Sequence, residues 1–236
     1  MENILGIIGG MGPMATDLFY KMLIENTEAS CDQEHINTII LGHAAMPDRT
    51  GAILSGSDEQ IKDVYEKMLA DAKFLEKSGC KAIAVTCNTA HYFVNMVEKE
   101  VKIPFIHMIR ETAKEAARMY PGGKIGILAT DGTVRTGLYQ DALSSEGIEP
   151  YVLTAENQKL VMHEIYDCVK SGKPADMESW AKIDAELHKA GCKGALLACT
   201  ELPIIKENEN LSDFYIDPMK IMALRAIEFM GYNLKK

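Results

Sequence analysis

Leu75-Glu-Lys-Ser-Gly-Cys-Lys-Ala-Ile-Ala-Val-Thr-Cys87 and Leu187-His-Lys-Ala-Gly-Cys-Lys-Gly-Ala-Leu-Leu-Ala-Cys199 are two versions of one segment. Leu, Lys, Gly, Cys, Lys and Cys coincide, and the offset is 112 at both cysteines (192 − 80 and 199 − 87). In each copy a helical stretch runs into a glycine, and a short apolar run then ends on a cysteine. That is the pattern of helix, turn and buried strand. A second pair, Gly6-Ile-Ile-Gly-Gly-Met-Gly12 and Gly126-Ile-Leu-Ala-Thr-Asp-Gly132, lies at offset 120 and extends to Thr16/Thr136, Leu18/Leu138 and Phe19/Tyr139. A weaker third pair sets Ile103-Pro104 and its following helix against Ile216-Asp217-Pro218 and its helix. The general similarity of strand-turn-helix units explains recurring apolar residues but not recurring cysteines. The chain therefore reads as an internal duplication.

Outward from these segments, short apolar runs predict strands at 4–8, 38–43, 82–86, 124–129 and 195–198. Amphipathic stretches predict helices at 15–28, 58–77, 109–119, 136–145, 158–170, 177–189 and 218–230. Alternating strand and helix implies an α/β fold with parallel sheets. With the duplication it predicts two similar lobes, each a parallel sheet flanked by helices, related by a pseudo-twofold with the active site in the cleft between them. The expected domains are 1–106, with the helix 218–236 packing back on it, and 107–217.

A chain of 236 residues with 47% hydrophobic and 25% charged residues is ordinary globular material. Its net charge of −9 argues against nucleic-acid or anionic-membrane binding, so an anionic ligand would need dedicated local cations. No run approaches the ~20 apolar residues of a membrane span. The start MENILGIIGGMG has no basic region ahead of an apolar one, which argues against a signal peptide and for a cytoplasmic protein. Six cysteines in such a chain read as free thiols. Neither CxxC nor HExxH occurs, so no zinc pattern is visible.

Cys87 and Cys199 immediately follow predicted strands, at the carboxyl ends where parallel sheets bind ligands. Duplication predicts that the two thiols flank a single bound molecule. Matched acid–base groups on opposite faces of a carbon suit inversion: one removes a proton, and the other delivers one. Thiols fit the task because their reference pKa of about 8.5 is close to neutrality. The resting pair should hold one thiol and one thiolate, since two thiolates would repel. Asn-Thr-Ala-His follows Cys87 and Thr-Glu-Leu-Pro follows Cys199, turns whose N–H groups suit a carboxylate and its developing enolate.

Several motifs carry a resemblance that spans nearly the whole chain in order. They are Gly6-Ile-Ile-Gly-Gly-Met-Gly-Pro-Met-Ala-Thr16, Pro47-Asp-Arg-Thr50, Thr86-Cys-Asn-Thr-Ala-His91, Ile103-Pro-Phe-Ile-His-Met108, Leu128-Ala-Thr-Asp-Gly-Thr133, Val169-Lys170-Ser-Gly172 and Ala198-Cys-Thr-Glu201. With them the sequence resembles the aspartate/glutamate racemase family, of the cofactor-independent two-cysteine type. The resemblance implies a homodimer without pyridoxal phosphate or metal that racemises an acidic amino acid, aspartate first and glutamate second. By position it implies that Cys87 and Cys199 are the catalytic bases. Asn88, Thr89 and Thr200 would hold the α-carboxylate and ammonium, and Arg49 and Lys170 the side-chain carboxylate. Met11 and Thr130 complete the expected substrate-binding set. Rival readings keep the fold and change the chemistry to that of a maleate isomerase, hydantoin racemase or arylmalonate decarboxylase. Others are a thiol hydrolase built on Cys87 and His91, and a non-catalytic amino-acid-binding protein.

Blander roles compete at single positions. Cys80 and Cys192 precede their strands and read as core or turn residues; Cys31 and Cys168 receive no role. The run Gly9-Gly10-Met11-Gly12-Pro13 departs from a dinucleotide loop, and Pro13 lacks an N–H, so it reads as a tight turn with ligand contact from Met11. Arg49 is either a solvated loop charge or a ligand cation, and Lys170 either a helix-end lysine or a ligand cation. His91 and His107 read as structural. Glu201 either orients the Cys199 turn or caps a helix.

Overall fold

The computed structural model describes residues 3–235; Met1, Glu2 and Lys236, which belong to the expected domains 1–106 and 218–236, lie outside it. The chain forms a two-lobed α/β fold and divides into two compact units, one running to Glu111 and resuming at Met219, the other Thr112–Pro218.

In the first unit β1 (Ile4–Gly9) leads into α1 (Pro13–Asn26), then β2 (Asn37–Gly42), α2 (Arg49–Ser55), α3 (Asp58–Lys77), β3 (Cys80–Val85), α4 (His91–Val97), β4 (Phe105–Ile106) and the start of α5 (Met108–Met119). All strand pairs are parallel, in the order β2-β1-β3-β4. α3 is capped by Ser57, whose side chain accepts from Gln60 N–H, and it buries Val64, Met68, Ala72 and Leu75. That spacing is one helical stripe, which turns this face onto the sheet.

The second unit repeats the plan with β5 (Lys124–Ala129), α6 (Asp131–Thr136), α7 (Leu138–Ser145), β6 (Glu149–Val152), α8 (Ala155–His163), α9 (Met177–Lys189), β7 (Gly194–Ala198), α10 (Leu202–Asn208) and β8 (Tyr215–Ile216). Its parallel order is β6-β5-β7-β8, the same as in the first unit. The last helix, α11 (Pro218–Phe229), returns to the first unit, where Met219, Met222, Ala223, Ala226 and Ile227 join Leu5, Ile7 and Phe19 in one buried cluster. Asn3 Nδ2 donates to the Met230 carbonyl at 2.7 Å and ties the end of that helix to the start of β1.

The two sheets share their register residue for residue. Gly6 pairs with Ile83 and Ile39, and Gly126 with Ala195 and Tyr151, matching the sequence offsets of 120 and 112. Both glycines serve the same contact. A Cβ on Gly6 would lie 2.9 Å from Leu75 Cδ1, and one on Gly126 would lie 2.3 Å from Leu187 Cδ2. The long helix of each unit thus presses a leucine onto the central strand, and the glycine there makes room for it.

Some expectations change. The third repeat pair is out of step: register aligns Phe105–Ile106 with Tyr215–Ile216, so Pro104 precedes a strand whereas Pro218 begins a helix. The helix expected at 136–145 is two helices broken at Gly137, which has φ +71°. The one expected at 158–170 starts at Ala155 behind a Thr154 cap and loosens into a π-helical turn (Glu164–Cys168) and a 3-10 turn (Val169–Ser171). Short elements without a long apolar run (β4, β6, β8, α2, α4 and α10) were not anticipated. No helix among the described residues is long and apolar enough to cross a membrane.

Candidate active site

Each unit brings its cysteine to the end of its third strand, and different side chains brace each one. In the first unit Cys87 follows β3 and is 7% exposed. Thr86 beside it lies 3.0 Å, Oγ1 to Oγ1, from Thr16 on α1. Thr16 Oγ1 also accepts from Gly10 N–H at 2.9 Å, so the turn after β1 and the end of β3 are pinned together. The glycines of that turn are required. A Cβ on Gly9 would lie 2.3 Å from Thr16, and Gly10 has φ +84° with His43 backbone 2.5 Å from where its Cβ would be. Met11 is buried in the cluster that also holds Met46 and Cys87. Its side chain is core, which leaves its backbone for the expected ligand contact.

His91 is tied into the backbone on both sides. Met108 N–H donates to Nε2 at 3.2 Å, so the ring proton sits on Nδ1, which donates to the Cys87 carbonyl at 2.8 Å. Both ring nitrogens are thereby used, and burial, then the Arg110 charge, push the pKa down to about 4. His91 is a neutral strut between the Cys87 turn and α5, and the Cys–His hydrolase geometry is absent. His107 packs edge-on to it, 4.7 Å between ring centroids, and shares Asn95 Oδ1 with Arg110 at 3.1 and 3.0 Å. Burial, His91 and Arg110 hold His107 at about 2, so it too is neutral. Asn88 and Thr89 form the turn between Cys87 and α4 and are both buried.

Arg49 opens α2, next to Asp48, whose carboxylate caps that helix through Thr50 and Gly51 N–H. The guanidinium donates to the carbonyls of Pro47 (2.8 Å) and Met46 (3.4 Å), while its Nε is buried without a partner. It forms no ion pair with a carboxylate of the described residues, so its charge is available to an incoming anion.

In the second unit Cys199 follows β7 and is 8% exposed. Its Sγ donates to Glu201 Oε2 at 2.9 Å; Thr200 Oγ1 donates to the same oxygen at 3.2 Å, and Lys170 Nζ donates to Oε1 at 2.5 Å. Lys170 reaches in from the 3-10 turn that follows the π-helical turn. Burial, the Glu201 charge and their hydrogen bond raise the Cys199 thiol well above its ordinary range. Burial also opposes ionisation of Glu201, but the Lys170 charge and the Cys199 and Lys170 hydrogen bonds outweigh it and hold the carboxyl below its usual value. Cys199 therefore rests as a thiol against a carboxylate. Tyr139 of α7, fully buried, is the nearby phenol, hydrogen-bonded to Thr112. Thr130 caps α6 by accepting from Thr133 N–H.

Of the expected site residues, Met11, Asn88 and Thr89 accompany Cys87, while Lys170 and Thr200 gather around Cys199. Lys170 does not offer the bare cation that the family pattern implied; it is committed to Glu201. Glu201, left open between two roles, is the centre of its cluster. The Thr16–Thr86 pair had no assigned role, although a glycine two residues before a turn and a threonine on the following helix hinted at close packing.

This arrangement, two equivalent sheets each ending its third strand on a buried cysteine, is that of an amino-acid racemase: the chain belongs to the Asp/Glu/Hydantoin racemase family, whose signature matches residues 8–226. Its relatives include the broad specificity amino-acid racemase RacX of Bacillus subtilis, 26% identical over 98% of this chain and 100% of the relative. Among solved structures, aspartate racemase from Picrophilus torridus is 31% identical, covers 99% of this chain and 96% of its own, and has a TM-score of 0.79. An aspartate racemase homologue from Pyrococcus horikoshii is 26% identical with a TM-score of 0.77, over 97% of this chain and 99% of its own.

Proposed function

We propose that this racemase interconverts L- and D-aspartate without a cofactor, glutamate being the alternative substrate, and that Cys87 and Cys199 are its two bases. The observation that carries the reading is the shared register: counted from paired strand positions, the two cysteines occupy equivalent places after equivalent strands of the two sheets. The full-length likeness to the Picrophilus aspartate racemase supports aspartate as substrate.

In this mechanism one sulfur, as thiolate, takes the α-proton; the C–H electron pair stays on Cα and spreads into the carboxylate. The other sulfur gives its S–H proton to the opposite face and keeps the bonding pair as a thiolate. The product is the enantiomer, and the two cysteines have exchanged protonation states. Asn88, Thr89, Thr130, Thr200 and the Met11 backbone hold the α-carboxylate and ammonium, while Arg49 takes the side-chain carboxylate with its planar fork. Lys170 contributes through its pair with Glu201. The six free thiols suit a reducing, cytoplasmic setting, and the family pattern implies a homodimer, which sedimentation would test.

Incubating purified protein with L-aspartate in D₂O tests the reading. Circular dichroism should decay toward zero, and deuterium should appear at Cα of both enantiomers. Absence of label from either enantiomer of both aspartate and glutamate would remove it in favour of another reaction on this fold.

A further inference from the structure

The shared register identifies Thr89 as the counterpart of Glu201 (201 − 112), so a carboxylate stands beside one cysteine and a hydroxyl beside the other. The carboxylate is aimed: Cys199 Sγ donates to its Oε2 at 2.9 Å, and Lys170 fixes its Oε1 at 2.5 Å. Among the described residues no side chain is hydrogen-bonded to the Cys87 sulfur in this way, and His91 uses both ring nitrogens on backbone groups. We propose that Glu201, held by Lys170, is a positioning residue that stores the resting proton on Cys199, so that Cys87 starts each idle cycle as the base and Cys199 as the acid. For its catalytic consequence this rests on the two-thiol reading above; its geometry does not.

The groups facing this sulfur are few. Glu201 and Lys170 lie against it, Tyr166 sits with its ring 5.7 Å from Lys170 Nζ, and Tyr139 approaches from α7, itself facing Asp217. Burial pushes the Tyr139 phenol well above its ordinary value, so Glu201 and Lys170 are the charges that lie against the sulfur. A carboxylate next to sulfur opposes the thiolate, and an ammonium favours it. Glu201→Gln removes the first and frees the second. Lys170→Gln does the reverse and leaves an uncompensated carboxylate.

The test is iodoacetamide alkylation of the full chain, read at each cysteine by peptide mass spectrometry from about pH 6 to 9. With Glu201→Gln, Cys199 alkylation should speed up about tenfold at neutral pH, one pKa unit's worth, and its pH profile should shift to lower pH while that of Cys87 stays put. With Lys170→Gln, Cys199 should slow. An unchanged or slower Cys199 in the first variant, a faster one in the second, or both cysteines moving together would overturn the proposal; if the first variant does not fold, the sign of the second decides. Initial α-proton exchange supplies the catalytic arm. One aspartate enantiomer should exchange faster in the native protein, and Glu201→Gln should narrow the ratio. Absence of exchange from both enantiomers would count against the racemase reading, while the alkylation result would still decide the role of Glu201.

Discussion

The turn after β3 and the turn after β7 begin from the same sheet position and are braced by opposite means. After β3, the Cys87 carbonyl is held by a neutral histidine that also receives Met108 N–H, and a second neutral histidine packs on the first. After β7, the Cys199 sulfur is itself held, by a carboxylate that is ion-paired with a lysine. The cations differ in the same way: Arg49 has no carboxylate partner among the described residues, and Lys170 has one. Duplication conserved what the backbone ladder needs, the register and the leucine-on-glycine contact. It left the side chains around each sulfur free to diverge, because no ladder bond depends on them.

The sharpest way to break the comparison is to remove one sulfur at a time. Cys87→Ala and Cys199→Ala should each reduce racemisation by about 10³-fold, since a general base or acid is lost from one face. The two variants should not be equivalent. Each keeps one sulfur, which removes and returns a proton on its own face, so each should still exchange the α-proton of one enantiomer of aspartate, and the two variants should act on opposite enantiomers. Deuterium incorporation followed by chiral chromatography reads this directly. Exchange of the same enantiomer by both variants would mean that the two sulfurs do not serve opposite faces.

Much of this was legible before any coordinates. The repeated Leu-Gly-Cys segment ends its strands where the cysteines stand, and the five anticipated strands are present within one or two residues at each end. The missing pieces have physical causes. β4 and β8 are two residues long, and β6 is an edge strand carrying Pro150 and half-exposed side chains, so none leaves a periodic signal. Glu201 was visible beside Cys199 but ambiguous, because its partner Lys170 lies 31 residues away and arrives through a π-helical turn that local propensity does not encode. His91 follows Cys87 by four residues in the sequence, a spacing that says nothing of its tautomer. Only the Met108 N–H, from a distant segment, decides its tautomer and its structural role.

The next effect concerns the unpaired cation. Arg49→Met should lower kcat/KM for aspartate about 10²-fold, mostly through KM, because a charge-assisted bidentate contact to the side-chain carboxylate is lost. Arg49→Lys should recover only part of this, since an ammonium lacks the fork. Steady-state kinetics on both enantiomers would show it. Equal losses in kcat for a substrate without a side-chain carboxylate would assign Arg49 to the α-carboxylate instead.

Acid titration separates the two braces on the pH axis. His91 and His107 stay neutral in the folded chain down to about 4 and about 2, whereas in the unfolded chain they take up protons near 6.5. Between those values the unfolded state binds more protons, so stability falls as pH drops below 6.5, by up to about 1.4 kcal/mol per pH unit for each histidine. Glu201 acts lower. Its folded pKa is depressed, so its contribution is intact above 4.5 and is lost as pH falls below that. Urea unfolding at stepped pH should show the first loss, and His91→Gln, which can accept from Met108 and donate to Cys87, should flatten it. An unchanged slope in that variant would place the acid sensitivity elsewhere.

The smallest effect tests what the duplication kept. A methyl group at Gly126 would meet Leu187 Cδ2 at 2.3 Å, while at Gly6 the nearest atoms, Leu75 Cδ1, Leu75 Cδ2 and Cys80 Sγ, stand at 2.9, 3.1 and 3.2 Å. In both places the clash is with the far end of a side chain, and replacing glycine also restricts the unfolded chain in favour of folding by about 0.4–1 kcal/mol. At Gly6 the two effects should nearly cancel. At Gly126 overpacking should win, with a net loss of about 1–2 kcal/mol. Adding Leu187→Val removes the offending methyl, so the double variant should be more stable than the sum of the single changes predicts, a coupling that a double-mutant cycle by urea unfolding would detect. Strict additivity there would mean that the leucine does not press on the central strand, and that the register, rather than this contact, is what the two units have in common.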